Sequence, residues 1–282
     1  TSGAHLYLVV APEYLRPYSL MGDPADRSRY RIAVLREPRG RGGSALLHRI
    51  FEPGRRVFLS RPVNHFELVE DASHSLLMGG GIGVTPMIAF AHRLHALGRA
   101  FDLHYSCSTR DAAAFAGILA QMPWADRVHL HISAESTRAD LSAIMARRID
   151  GGHVYTCGPE AYMQAVIQTA EAAGYPDHAR HLEYFSTPEM PDYVNHPFTL
   201  RLPSGREVPV RADQSASDAL QEAGIAVDVK CNDGICGVCK CSVRAGEVEH
   251  RDFVLSAAQR KDQMILCQSR AATPDAVIDI DL

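Results

Sequence analysis

The rhythm of hydrophobic and polar positions changes twice along the chain. Up to residue 72, short apolar runs alternate with Gly, Pro and Asp breaks: His5-Leu-Tyr-Leu-Val-Val10, Tyr30-Arg-Ile-Ala-Val-Leu35 and Arg56-Val-Phe-Leu59. That texture predicts an antiparallel sheet or barrel. A strand region so short makes an incomplete barrel, so further strands are expected upstream of Thr1, where no initiator Met stands. From 73 to 187 strand and helix patterns alternate. Ser75-Leu-Leu-Met78, Leu103-His-Tyr-Ser106, Val128-His-Leu-His-Ile132 and His153-Val-Tyr-Thr-Cys157 predict strands, while Met87–Leu97 and Ala161–Ala173 have helical spacing and end at Gly98 and Gly174. Strands separated by helices imply a parallel sheet covered on both faces. Residues 188–196 hold two prolines and no periodicity, which predicts a linker. The segment 197–282 opens with the hairpin Phe198–Leu202 and Glu207–Val210, followed by one short helix over Ser215–Ala223.

A chain of 282 residues has room for two or three cores of this kind. The composition, 46% apolar and 22% charged, is that of a soluble globular protein. The net charge of −4 argues against nucleic acid as the main partner. No apolar run is long enough to span a bilayer, so no membrane association is expected, and no signal peptide is visible. Seven cysteines are an odd number for a paired disulfide framework. Without an export signal they point to metal or cofactor binding in the reducing cytoplasm. A monomer is expected.

Four cysteines carry the most specific signal. Cys231-x4-Cys236-x2-Cys239-x27-Cys267 has the spacing of a plant-type [2Fe–2S] ferredoxin site. Three thiolates converge from one tight loop, the fourth arrives from elsewhere, and Gly234 and Gly237 supply backbone freedom inside the loop. A closed zinc site is the alternative, although zinc modules arrange their ligands as two C-x2–4-C pairs. Cys241 fits no ligand position and is expected to be a packed thiol.

Two glycine-bearing turns follow predicted strands. In Met78-Gly-Gly-Gly-Ile-Gly-Val-Thr-Pro86, Gly81 and Gly83 resemble a dinucleotide fingerprint whose last Gly is replaced by Pro86. Thr85 is placed to cap the helix and Pro86 to open it, leaving the positive helix end free for a pyrophosphate. Cys157-Gly158-Pro159 sits at another strand end. A bare strand–helix turn and a buried strand-end thiol are the plainer readings of the two stretches. A third stretch, Arg16-Pro-Tyr-Ser19 with Gly40-Arg-Gly-Gly-Ser44, fits a flavin mononucleotide. There Arg16, Arg41, the Gly42 and Gly43 amides and the Ser44 hydroxyl suit the phosphate. Tyr18 offers a face for the ring and Ser19 a hydrogen bond near its reactive nitrogen. By composition alone either half reads equally well as an ordinary turn.

Taken in order, R-x-Y-S, G-R-G-G-S, G-G-G-I-G-x-T-P, C-G-P and C-x4-C-x2-C…C resemble the phthalate dioxygenase reductase family, which includes the vanillate O-demethylase reductases. The likeness extends to His250-Arg-Asp252 and to the ending Val277–Leu282. It implies a multidomain α+β and α/β fold: an FMN-binding antiparallel β-barrel over 1–72, N-terminally incomplete, an NADH-binding parallel α/β domain over 73–187, a linker over 188–196, and a β-grasp [2Fe–2S] ferredoxin domain over 197–282. It implies that Arg16, Tyr18, Ser19, Arg41, Gly42, Gly43 and Ser44 bind FMN, with Phe185 of Glu183-Tyr-Phe-Ser186 close by. Gly81, Gly83, Thr85, Cys157, Gly158 and Pro159 would line the nicotinamide nucleotide site, and Thr109-Arg110-Asp111 the adenosine ribose. Ser19 and Cys157 would take part in catalysis, and Cys231, Cys236, Cys239 and Cys267 would hold the cluster. The implied activity is electron transfer from NADH through FMN and [2Fe–2S] to a Rieske-type terminal oxygenase, or to a different acceptor.

Overall fold

The computed structural model describes residues 1–11, 14–38, 42–185, 192–255 and 258–282. Ala4–Ala11 is apolar almost throughout and forms β1, buried along most of its length. It pairs antiparallel with β2 (Tyr14–Ser19) on one side, and with the short β3 (Phe58–Leu59) and β4 (Val63–Asn64) on the other. Helix α1 (Gly43–Ile50) covers this sheet, with Leu47 packing beside Leu6, Leu8 and Val10. The expected strand at Tyr30–Leu35 does not form. Ile32 and Val34 instead lie as irregular chain against the same small core, which their alternation serves without a partner strand.

Ser75–Gly80 is a continuous buried run and becomes β5, the central strand of a parallel sheet. β6 (Phe101–Cys107) and β7 (Val128–Ile132) add to one side of it. The chain then crosses back to place β8 (His153–Cys157) and β9 (Arg180–Glu183) on the other, giving the order β7-β6-β5-β8-β9. One face packs on α2 (Val84–Ala96) through residues such as Leu77, Met87, Phe90 and Leu103. The opposite face is covered by α4 (Leu141–Met145) and α5 (Glu160–Ala172), the short α3 (Ala116–Leu119) lying between β6 and β7 in sequence. The direction of winding reverses between β5 and β8, and open α/β sheets bind ligands at the carboxyl ends of such a pair.

The small sheet and the parallel sheet belong to one compact unit, Thr1–Phe185, so the expected boundary at residue 72 falls inside it. The buried Phe66 ring lies 5.1 Å from Phe90 and 6.0 Å from Tyr155, and the Val69 amide donates to the Tyr155 hydroxyl at 2.9 Å. Arg93 also grips Glu70 through two hydrogen bonds of 2.7 Å. That ion pair is half exposed, so water screens most of its attraction. Burying Phe66 contributes about 1.5–3 kcal/mol, so aromatic packing is the stronger tie.

The second unit, Ser186–Leu282, is built around a mixed sheet. β10 (Phe198–Arg201) pairs with β11 (Glu207–Val210) as the expected hairpin and runs parallel to the C-terminal β16 (Val277–Asp281). The order is completed by β12 (Lys240–Ala245) and β14 (Gln263–Ile265), while β13 (Val248–Glu249) and β15 (Arg270–Ala271) form a separate pair. Helix α6 (Ala216–Glu222) starts where Ser215 Oγ accepts the Asp218 amide at 3.1 Å, and it packs on the sheet in the β-grasp manner. Cys241 is buried in this core, and burial pushes its thiol up to about 12. Part of the expected linker, 188–191, lies outside the described residues. Its remainder is not free. Arg251 donates to Asn195 at 2.6 Å and stacks 4.2 Å over Tyr193, and Arg270 donates to the His196 carbonyl at 2.9 Å. No helix among the described residues is long and apolar enough to cross a membrane.

Glycine decides the geometry at the switch point. A Cβ on Gly83 would stand 2.3 Å from the Cys157 carbonyl oxygen and 2.5 Å from the Gly158 nitrogen. Gly158 has φ +151°, and its Cβ would stand 2.8 Å from the Gly80 carbonyl. Gly83→Ala or Gly158→Ala therefore costs about 2–3 kcal/mol by forcing two backbones apart. Urea denaturation of either variant is expected to show that loss. An unchanged midpoint would mean that the turns are not in contact.

Candidate functional site

The candidate residues fall into separate clusters, the first of them beside α1. In the first, β2 presents Tyr14, Arg16 and Tyr18 on one face. The Arg16 guanidinium lies 5.1 Å over the Tyr14 ring. Gly42 and Gly43 open α1 beside it, and a Cβ on Gly43 would come within 3.1 Å of Arg16 Nε. A cation and the free amides of a helix start thus share one small cradle, which fits a phosphate. Ser44 belongs to it, its hydroxyl accepting the Glu37 amide at 3.1 Å. Arg41 lies outside the described residues. Burial raises the Tyr18 hydroxyl above its ordinary range, with Arg16 opposing the shift.

The second group lies where β2 ends against β8 and β9. Ser19 and His5 face each other in register, both buried. Glu183 approaches them from β9, its carboxylate 3.9 Å from His5 Nδ1. Burial pushes Glu183 up to about 8, a hydrogen bond from Ser19 partly offsetting it, and Oε2 has no protein partner. Cys157 pairs with Glu183 in register and is wholly enclosed. Burial, with Glu183 adding to it, holds the thiol far above its ordinary range, so it is a neutral group and not a thiolate. Phe185, two residues on, is 40% exposed. A buried neutral Ser–Glu–Cys set suits an uncharged ring edge bearing hydrogen-bonding nitrogens.

A cavity of about 370 Å³ opens at the carboxyl ends of β5 and β6. Gly80, Gly81 and Pro159 line it, as the sequence predicts for the last two. Gly83, Thr85, Cys157 and Gly158 are not in its lining; Gly83 and Gly158 instead set how closely the two turns approach. Thr85 does not cap α2. Its hydroxyl donates back to the Ile82 carbonyl at 3.0 Å, and the helix opens at Gly83 instead. Thr109, Arg110 and Asp111 stand in an exposed turn and do not line the cavity; Ser108 and Ala112 on either side do. Arg110 is engaged by Glu135 through bonds of 2.7 and 2.5 Å, which cancels its charge. The remaining polar lining is Ser106, His131, Ser133 and Arg138. Burial lowers His131 and favours its neutral form, so Arg138 supplies the cationic charge. Sequence reasoning missed Ser106 and His131, although each stands at or next to a strand's carboxyl end, the position where such sheets bind ligands.

The third group is in the second unit. Cys236, Cys239 and Cys267 are buried and Cys231 is partly exposed. Hydrogen bonds from Cys236 and Cys267 and from the Asp233 and Ile235 amides hold the Cys231 thiol far below its ordinary range, while the two donors are raised. The Asp233 amide reaches Cys231 Sγ at 3.3 Å. Asn232, Gly234 and Gly237 have φ of +58°, +71° and +70°, the curvature that turns amides inward. A Cβ on Gly234 would meet Gln268 and Asp252 within 3.3 Å. Four thiols facing one another, with amides aimed at their sulfurs, fit an anionic cluster.

The Glu183 carboxyl gives the first unit a pH signature. Its folded pKa of about 8 lies above the value of about 4.3 in an unfolded chain. Stability tied to the protonated form is complete below the lower value and is lost as pH rises through the higher one, at up to about 1.4 kcal/mol per pH unit. Glu183→Gln is expected to flatten the fall in stability between pH 5 and pH 8 in chemical denaturation. Parallel pH profiles for variant and parent would show that Glu183 is ionised throughout.

Residues 200–272 match the family model of the 2Fe-2S iron-sulfur cluster binding domain. Across 99% of its length the chain is 38% identical to a vanillate O-demethylase oxidoreductase of Pseudomonas sp. (strain HR199 / DSM 7063), covering 90% of that protein. Phthalate dioxygenase reductase, a solved modular structure for electron transfer from pyridine nucleotides to [2Fe–2S], superposes with a TM-score of 0.68. That match has 35% identity and takes in 100% of this chain and 88% of that one. An intact type IV self-sufficient cytochrome P450 monooxygenase matches 100% of this chain over 37% of its own, with 36% identity and a TM-score of 0.86. The chain belongs to the phthalate dioxygenase reductase family, oxidoreductases that work with FMN, NADH and a [2Fe–2S] cluster.

Proposed function

We propose that this chain is the reductase component of a Rieske-type aromatic-ring oxygenase or O-demethylase system. It passes electrons from NADH through FMN to the [2Fe–2S] cluster and on to the terminal oxygenase. The observation that carries this reading is the presence, in one chain, of a nucleotide-sized cavity at a parallel-sheet switch point and four thiols ringed by amides. The cofactors supply the redox chemistry, hydride acceptance by the flavin and single-electron transfer at the cluster.

The protein's own residues bind and orient. Arg16, Arg41, Gly42, Gly43 and Ser44 hold the FMN phosphate, and Tyr18 and Phe185 flank its ring. Ser19 donates a hydrogen bond at the reactive edge, backed by Glu183, which is buried and can hold a proton there. Cys157, neutral and enclosed, backs the turn that faces the nicotinamide. Gly81 and Pro159 bound the nucleotide, and Gly83, Thr85 and Gly158 hold the floor on which it rests. Thr109, Arg110 and Asp111 act from the cavity's rim. Cys231, Cys236, Cys239 and Cys267 ligate the cluster. The four reduced thiols suit the cytoplasm, and we place the protein there as a monomer.

The Rieske-type partner follows from the likeness to the vanillate and phthalate reductases. The match to part of a self-sufficient cytochrome P450 monooxygenase favours a second reading, a haem acceptor. Supplying purified oxygenases of each type and following NADH-coupled product formation separates the two. Turnover only with the haem protein would overturn the first.

Two outcomes are expected. The purified protein shows flavin and [2Fe–2S] absorbance in equal stoichiometry. Cys239→Ser abolishes the cluster bands and at least tenfold of NADH-dependent cytochrome c reduction, while NADH still bleaches the flavin. A colourless protein carrying zinc would end the scheme. Nucleotide choice is the other outcome. Because Glu135 cancels Arg110, Glu135→Gln leaves two arginines near the rim and is expected to raise kcat/KM for NADPH about tenfold relative to NADH.

A further inference from the structure

Two side chains in the cavity wall have no structural reason to be polar. Ser106, next to the end of β6, lies directly across from Gly80 of β5, and Tyr162 stands in the first turn of α5 with its ring against Gly80, where a Cβ would meet it at 2.9 Å. Both hydroxyl oxygens are buried. They lie close enough to feel each other, but neither makes a well-formed hydrogen bond to the protein. Of the buried side-chain polar atoms left without a partner among the described residues, these two are the ones that line this cavity. An orphaned buried hydroxyl is a net loss to the folded chain, and native structures keep such groups few.

The chemistry of the wall identifies what would satisfy them. The lining contains Ser106, Ser108, Ser133, His131, Tyr162 and Arg138 but no carboxylate, so it offers donors and one cation. Burial pushes the Tyr162 hydroxyl up to about 12, which keeps it protonated and able to donate. The pair sits beside the Gly80–Gly81 turn and the start of α5, where backbone amides favour an anion.

We propose that the Ser106 and Tyr162 hydroxyls form a two-donor clamp for the pyrophosphate of the nicotinamide nucleotide. This rests on the reading of the cavity as the nucleotide site. The clamp is a binding device, leaving hydride transfer to the nicotinamide end.

The test is calorimetric binding of ADP and of adenosine to the cofactor-loaded full chain, in the parent, Tyr162→Phe and Ser106→Ala, with a thermal melt of each without nucleotide. Each variant is expected to weaken ADP about tenfold and to change adenosine less than twofold, since adenosine lacks the phosphates. Neither is expected to lower the melting temperature, because no protein partner is lost. ADP affinity within twofold of the parent would overturn the clamp alone, as would a lowered melting temperature, which would reveal a structural partner. A parent that binds neither ADP nor NADH would overturn the nucleotide reading itself, and the clamp with it.

Discussion

The contact between the turns after β5 and β8 is the constraint on which the first unit depends. Gly83 touches the Cys157–Gly158 peptide and Gly158 touches Gly80, backbone on backbone, with no room for a side chain on either. That closeness lets two parallel strands end side by side, opens the cavity above them and seals Cys157 beneath. It also fixes the neighbouring strand, because β9 pairs in register with β8 and so delivers Glu183 to Ser19. The glycines of the long G-G-G-I-G run thus divide their work. Gly79, Gly80 and Gly83 are required by packing, whereas Gly81, at φ +54° with open space around its Cβ position, borders the cavity.

Burial, more than charge, sets the chemistry of the first unit. Glu183, Cys157 and Tyr162 are all displaced toward their neutral forms by loss of water. Charge is kept to the edges, on Arg16 beside the start of α1 and on Arg138 in the cavity wall. The arrangement suits a reaction in which hydride passes between rings and the protein needs neither a nucleophile nor a strong base. The second unit works the other way. Its backbone amides favour the charged sulfur, as the Asp233 amide does at Cys231, which is what a cluster of iron and sulfide demands.

Arg251 and Arg270 give the second unit its entry. Both are buried; Arg270 donates to the His196, Arg211 and Gln214 carbonyls, and Arg251 divides its donors between the Glu249 carboxylate and the Asn195 side chain. A segment rich in Pro and polar residues is thereby held against the sheet by two guanidinium groups with aromatic rings beneath them. Composition marks such a segment as a linker. Its partners, more than fifty residues downstream, decide that it is ordered.

The sequence by itself determined the family, the order of the elements and the four thiols, because each is a local matter. Strand and helix periods repeat within a few residues, and a cluster loop needs its ligands close together in the chain. What only the tertiary structure decided are the contacts between distant segments. Tyr30–Leu35 has the alternation of a strand but pairs with no strand among the described residues, and a strand exists only through its partner's hydrogen bonds. Thr85 has the chemistry of a cap, yet its hydroxyl found the Ile82 carbonyl first. Arg110 looked available until Glu135, twenty-five residues on, closed over it. Ser106 and Tyr162 carried no motif at all. Their meaning comes from standing unpaired on one wall, and whether a polar group has a partner is a property of the folded chain.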